Sequence, residues 1–278
     1  MAKAIPIKKV VIPVAGLGTR FFPITKSIPK EMLPIVDKPC IQYLVEEAIN
    51  SGIKEIIFVT SQDKPSIKEY FSPVSAKLKK LLTEKSKIAE LKELQRIEKM
   101  AKFSYVHQDR PLGDGHAILC AKKYIKNEPF AVLFGDDIYD SNPPALKQLL
   151  NEYYKYNSPI IALEKIDKKD SKKYGMIEVK SKKGALVEIN GLVEKPEPRL
   201  TPSNLAITGK YIITPQLLKD LEKSHSSTND KEIRLIDGMR THIKKNRIFG
   251  LEIKGKRFDT GNKQGYVKAV IHFASKNK

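Results

Sequence analysis

Tryptophan is absent from the 278 residues, cysteine occurs twice, and acidic side chains are outnumbered 32 to 51 by lysine and arginine. Each shortage excludes something. Cys40 and Cys120 form no CxxC pair, which gives no support to a zinc site or a thioredoxin-like motif. Both sit among apolar neighbours and are expected as buried, reduced thiols. No stretch reaches the roughly 18 apolar residues that a membrane-spanning helix needs. The opening MAKAIPIKKV has no apolar signal region with a cleavage site, so the expected compartment is the cytoplasm. The shortage of acid leaves a formal net charge of +19. Much of the excess lies in scattered pairs such as Lys79-Lys80, Lys168-Lys169, Lys172-Lys173 and Lys182-Lys183. No aromatic residues interleave these runs as base-stacking platforms. A solvated basic surface is expected, with neither nucleic acid nor membrane as partner.

What remains is a chain with enough apolar residues, 41%, for a sizeable core. Its first half alternates strand and helix. Strands are expected at Val10–Val14, Glu55–Thr60, Phe103–His107, Phe130–Phe134 and Ile160–Glu164. Helices are expected near Ile41–Ser51, Ala76–Met100, Asp114–Ile125 and Ala145–Tyr156, from apolar residues at helical spacing. This order predicts parallel strands joined by crossovers, hence an open α/β sheet. The second half offers shorter strands at Gly175–Val179, Ala185–Val193, Ala206–Ile213 and Arg247–Ile253. Its helices are expected near Gln216–Lys223, Asp230–Lys244 and Gln264–Ser275. No linker divides the halves, so residues 1–278 are expected as one domain. Its two halves would be about 1–165 and about 166–278.

Ligands of such sheets bind beyond the carboxyl ends of the strands. That rule selects the loop after Val14, the segment after His107 and the acid pair after Phe134. After Val14 the chain turns through Gly16 and Gly18, where backbone amides can cradle a phosphate. Arg20 and Lys30 add positive charge beside that turn. The Walker pattern is absent, and a Rossmann fingerprint fails because its last glycine would fall at Phe21. Asp136, just past a buried strand, suits a hard cation that prefers oxygen, although it could also cap a following helix. Asp137 is expected to be structural. His116, at the start of a helix, is expected to be structural and not a base.

The run PVAGLGTRFFPITKSIPKEMLPIVDKPCIQYLVEEA resembles the signature of bacterial UTP–glucose-1-phosphate uridylyltransferases, within the sugar-phosphate nucleotidyltransferase superfamily. The resemblance continues in order through QDRPLGDGHAILCA, FGDD, YGMIE, VEKP, SNLAITGKY and FDTGNKQGY, nearly the whole chain. It implies an open mixed, mostly parallel Rossmann-like sheet flanked by helices, the nucleotide-diphospho-sugar transferase fold. It implies UTP and glucose 1-phosphate as substrates, Mg²⁺ as cofactor and a homodimer or homotetramer. Position by position, Ala15, Gly16, Leu17 and Gly18 would cradle the nucleotide, with Arg20 on the triphosphate and Lys30 on phosphate oxygens. Gln108 and Gly113 would read the uracil edge. Asp136 and Asp259 would hold the metal. Gly175 and Glu194 would bind glucose hydroxyls and Lys195 the sugar phosphate.

Glu194 and Lys195 are adjacent, and neighbours on a strand point to opposite faces. Only irregular backbone would let both reach one ligand. Four residues depart from the family pattern. Asp114, between Gly113 and Gly115, would weaken nucleotide binding unless it points away or helps hold metal. Asp109 falls where members vary. Arg234 and Ile236 replace the more usual glutamine and threonine. Within the superfamily, dTTP or another sugar phosphate is the competing substrate reading. A non-catalytic nucleotide-sugar-binding relative is the competing reading from another class.

Overall fold

In the computed structural model, residues 4–224 and 232–276 are described. Among the described residues thirteen strands form in chain order: β1 (Lys9–Pro13), β2 (Pro34–Ile35), β3 (Lys38–Pro39), β4 (Glu55–Thr60), β5 (Lys102–His107), β6 (Phe130–Leu133), β7 (Asp137–Asp140), β8 (Ile160–Lys165), β9 (Gly175–Lys183), β10 (Leu186–Glu194), β11 (Leu205–Ile213), β12 (Phe249–Glu252) and β13 (Lys256–Asp259). Nine of them make one continuous sheet in the order β5-β4-β1-β6-β11-β8-β12-β10-β9. β7 with β13, and β2 with β3, make two small antiparallel ribbons.

The expectation of a mostly parallel sheet needs correction. β5, β4, β1 and β6 pair in parallel, as do β8 and β12. β11 runs antiparallel between β6 and β8, and β10 runs antiparallel to β12 and β9, so antiparallel pairings slightly outnumber parallel ones. The physical reason lies in the connections. β9 and β10 are separated by a turn at Gly184 that suits a hairpin, and a hairpin joins antiparallel strands. β11 is buried at all nine positions, which places it centrally despite its late place in the chain.

Two apolar layers cover the sheet. One gathers Val10, Ile12, Leu44, Val45, Phe58, Leu146, Leu149 and Tyr153 under the helices Cys40–Asn50 and Ala145–Tyr156. The other gathers Val11, Ile57, Ile118, Val132, Leu217, Leu221 and Met239 under Asp114–Cys120, Pro215–Lys223 and Leu235–Ile243. Successive residues of β1 alternate between them: Val10 and Ile12 go to one layer, Val11 to the other.

Several expected elements changed length. The stretch expected as one helix over Ala76–Met100 forms two, Ala76–Glu84 and Ile88–Glu98, interrupted where Ser86 takes a positive φ of 55°. The expected helix over Asp114–Ile125 is likewise broken after Cys120. The expected start at Asp230 lies outside the described residues; the observed helix is Leu235–Ile243. Among the described residues no helix is long and apolar enough to cross a membrane.

Candidate active site

The glycine loop leaves β1 at the carboxyl edge of the sheet, and its shape is fixed by a buried lysine. Lys64 Nζ donates to the carbonyls of Val14 and Gly16, each at 2.6 Å, and pairs with Glu31 Oε2 at 3.1 Å. Thr25 Oγ1 donates to Gly18 O at 2.8 Å, and Gly18 takes the left-handed φ of 67° that closes the turn. Burial pushes the Glu31 carboxyl above its ordinary range, although Lys64 and Lys30 pull the other way. Neither Glu31 nor Lys64 was expected from sequence. Glu31 adjoins Lys30 in the segment SIPKEMLP, and its pairing with a residue 33 positions on leaves no local signal of its burial.

Lys30 follows on a short 3-10 turn, Lys30–Met32. Its Nζ lies 2.5 Å from Asp136 Oδ2. Burial alone would depress the Lys30 ammonium, yet the Asp136 and Glu31 carboxylates together outweigh it and hold the ammonium above its ordinary range. Burial likewise opposes the charge on Asp136, and Lys30, with a backbone hydrogen bond and Arg257, overcomes it, leaving the carboxyl below its ordinary range. Asp136 caps no helix, since the strand β7 follows it directly.

A second carboxylate is brought alongside by β13. The backbone N and Oγ1 of Thr260 both donate to Asp136 O, at 2.8 and 3.0 Å. Asp259 Oδ1 accepts from Gly261 N at 3.0 Å. A β-carbon built on Gly261 would fall 2.5 Å from Asp136 Oδ2 and 3.0 Å from Asp259 Oδ1. The two carboxylates therefore converge on a residue without a side chain. No group of three or more His, Cys, Asp or Glu suited to a metal exists among the described residues. Two carboxylates still fit a hard cation of the Mg²⁺ type, which is commonly held by one or two acids together with water and substrate phosphate.

Asp137 is tied to different partners. It accepts from the amide of Gly209 and, at 2.6 Å, from Arg257 Nε, while Arg257 Nη1 reaches Glu164 Oε2 at 2.9 Å. Lys210, fully buried in β11, donates to Asp137 O and pairs with Glu47, both at 2.9 Å. Arg257 is a residue that sequence reasoning missed. Its signal was available, because Arg257 and Asp259 sit two apart on one strand and so share a face.

Around this carboxylate centre lie three adjoining cavities. The first is lined by Ala15, Gly16, Lys30, Gln108, Gly113 and Asp136, among others. Gln108 is buried; its Nε2 donates to Gly113 O at 3.0 Å and lies 3.0 Å from His116 Nδ1. Gly113 has φ 98°, and a β-carbon there would collide with Ile233 O at 2.5 Å. The second cavity is lined by Gly175, Glu194, Lys195, Ile207, Arg234 and Ile236, and it shares Asp114, Phe134 and Asp136 with the first. Glu194 ends β10, and Lys195 then adopts a left-handed φ of 44°. That kink brings two adjacent side chains to one cavity, which a regular strand would not allow. The third cavity contains Arg20 and Asp259 and meets the second at Lys195 and Arg257. Arg20 Nη1 reaches Gly261 O at 3.4 Å.

Two of the expected residues stand apart. Leu17 is 65% exposed, and neither it nor Gly18 lines these cavities. Asp114 is not aimed freely at the first cavity: its Oδ1 accepts from Gly115 N at 2.7 Å and Leu235 N at 3.0 Å. It anchors the start of the helix Leu235–Ile243, and burial holds its carboxyl above the ordinary range. Arg234 pairs with Glu232 at 2.9 Å.

An α/β sheet with a glycine loop, a partly buried Lys–Asp pair and a second carboxylate at its carboxyl edge defines a phosphate-handling class of protein. The family model described as nucleotidyl transferase matches residues 9–276, and the chain belongs to that family. The UTP–glucose-1-phosphate uridylyltransferase of Bacillus subtilis (strain 168) is 42% identical over 272 residues, covering 98% of this chain and 92% of the relative. A crystal structure of UDP-glucose pyrophosphorylase complexed with UDP-glucose superposes with a TM-score of 0.88 at 42% identity, over 98% of this chain and all of that one. UTP-bound UGPase from Acinetobacter baumannii superposes with a TM-score of 0.89 at 37% identity, covering 96% of this chain and 93% of that one.

Proposed function

We propose that the chain works as one cytoplasmic nucleotidyltransferase domain that transfers a uridylyl group from UTP to glucose 1-phosphate, releasing UDP-glucose and pyrophosphate. The observation that carries this reading is that the two cavities meet at Asp136, with Lys30 2.5 Å away. Two ligands seated there would touch at their phosphates. The activities of the similar proteins supply the nucleotide and the sugar.

In this reading a phosphate oxygen of glucose 1-phosphate attacks the α-phosphorus of UTP. A new P–O bond forms, the bond to the β-phosphate oxygen breaks, and pyrophosphate carries away the electron pair. The nucleophile is already an anion at neutral pH, so the chain supplies no base. Its task is electrostatic. Two unit charges about 4 Å apart repel by roughly 4 kcal/mol at an effective dielectric near 20, and several such repulsions act together. Lys30 neutralises phosphate oxygens beside Asp136, Arg20 acts on the triphosphate, and Lys195 holds the sugar phosphate. The loop Ala15–Gly18 cradles the nucleotide through its backbone, and Gln108 and Gly113 meet the uracil edge. Gly175 and Glu194 take the glucose hydroxyls. Asp136 and Asp259 would hold a divalent cation, assigned as Mg²⁺, which supplies further neutralisation of phosphate charge when bound. A homodimer or homotetramer is part of the same proposal.

Pyrophosphate release, measured over a grid of nucleoside triphosphates and sugar 1-phosphates, tests the assignment. UTP with glucose 1-phosphate should give the highest kcat/KM. Preference for dTTP or another sugar would move the chain to a neighbouring specificity, and no turnover in any pairing would make it a binding protein. Asp136→Asn should abolish metal-dependent turnover with the fold intact, and normal activity at ordinary Mg²⁺ would remove Asp136 from the metal site.

A further inference from the structure

The lining of the second cavity is partly charged and partly apolar. Glu194 and Lys195 share it with Ile207, Ile236 and Met239, all three buried. Gly175 lies against both kinds of side chain. A β-carbon built there would lie 3.2 Å from Ile207 Cδ1, 3.3 Å from Ile236 Cδ1 and 3.3 Å from Glu194 Oε2. Two methyl groups and one carboxylate oxygen thus converge on one point of the wall.

Two polar groups in this lining are already engaged. Thr208 Oγ1 donates to Ala162 O at 3.1 Å and accepts from Tyr139 at 3.0 Å. Asp114 Oδ1 accepts two backbone amides. Ile236 itself is held by its helix, Leu235–Ile243, whose first amide is one of those two.

A glucopyranose ring matches such a cavity. Its ring hydroxyls at C2, C3 and C4 are equatorial and lie around the edge, so the face opposite the α-phosphate presents only C–H groups. Galactose and mannose each turn one hydroxyl axial on that same face. A hydroxyl pressed against methyl groups is buried without a partner and loses its hydrogen bonds to water.

We propose that Ile236, backed by Ile207, is a specificity-determining residue that packs against the C–H face of the hexose and rejects sugar 1-phosphates carrying an axial hydroxyl there. The inference rests on the assignment of Gly175, Glu194 and Lys195 to the sugar phosphate. Its size is bounded, because apolar pockets reject an added hydroxyl by only about 100-fold.

The test compares kcat/KM for glucose, galactose and mannose 1-phosphates with UTP in the wild type, Ile236→Thr and Ile236→Val. Threonine keeps the β-branch and supplies a hydroxyl. The wild type should prefer glucose over both epimers by up to about 100-fold. Ile236→Thr should narrow that preference against at least one epimer by about tenfold, the worth of one hydrogen bond. Ile236→Val, still apolar, should keep the wild-type ratios. Equal losses on all three sugars in Ile236→Thr would reduce the residue to a packing role and overturn the inference alone. So would a wild type that uses the epimers as well as glucose. A wild type that turns over none of the three would overturn the activity reading and this inference with it.

Discussion

Replacing Lys64 with methionine tests how the glycine loop is held. The ammonium makes three bonds, to Val14 O, Gly16 O and Glu31 Oε2, and the Lys64 and Glu31 side chains are only 9% and 1% exposed. Removing one partner of a buried ion pair typically costs about 3–5 kcal/mol, because the other charge stays buried. Against a total stability of about 5–15 kcal/mol, that is a large fraction. The penalty should depend on pH. Burial already raises the Glu31 carboxyl above its ordinary value of 4.5, so its protonated form is favoured by folding. Without Lys64 that shift should grow. The cost of Lys64→Met should therefore be greatest above the folded pKa of Glu31 and shrink as pH falls through it. Urea unfolding of the wild type, Lys64→Met and the double variant Lys64→Met/Glu31→Gln would measure this, alongside UTP binding by calorimetry. The double variant, with no charge left to strand, should recover much of the lost stability while UTP affinity stays reduced, since both loop carbonyls remain untied. A single variant less than about 1 kcal/mol destabilised at neutral pH, or a double variant no better than the single, would refute the account of Lys64 as the buried counter-charge.

Lys195→Ala should lower kcat/KM for glucose 1-phosphate by about 10- to 100-fold, the usual worth of a hydrogen bond to a charged group, and leave the KM for UTP nearly unchanged. Equal losses on both substrates would contradict its assigned place. Asp136 has a folded pKa below its ordinary 3.8, so the stability it contributes is present above that value and lost as pH falls through the folded pKa. Acid unfolding followed by circular dichroism should be shallower in Asp136→Asn below that pH, and an unchanged profile would mean that the Lys30 pair does not favour the ionised form. Cys40 is buried and its thiol is pushed up to about 12 by that burial, while Cys120 is partly exposed. A thiol reagent near pH 8 should therefore reach Cys120 first and Cys40 only after denaturation; two rapid equivalents from native protein would refute this.

The parallel half of the fold was legible because short apolar strands alternate with amphipathic helices of ordinary length. Glu55–Thr60 and Ala145–Tyr156 formed over the expected residues. β11 was expected as a strand, but its reversal between β6 and β8 was not, because an apolar run that is buried on both faces carries no sign of direction. The ribbon of β7 and β13 was missed for a related reason: its strands are four residues each and are polar at the ends. Within the site, the expected cations and carboxylates drew attention because their types suit phosphate and metal. Lys64, Glu31 and Lys210 did not, since a buried ion pair between residues 33 or more positions apart leaves no local pattern; Arg257 was overlooked although it shares a strand face with Asp259.

If Lys195 holds the sugar phosphate as proposed, its left-handed backbone ties substrate contact to an inbuilt handicap. An L-residue other than asparagine or aspartate held there forfeits about 1–2 kcal/mol, so the proposed ligand contact would be among the chain's least comfortable residues. Directed evolution for heat resistance should accordingly find Lys195→Gly attractive, and a heat challenge without a turnover screen would enrich sturdier chains that no longer grip the sugar phosphate.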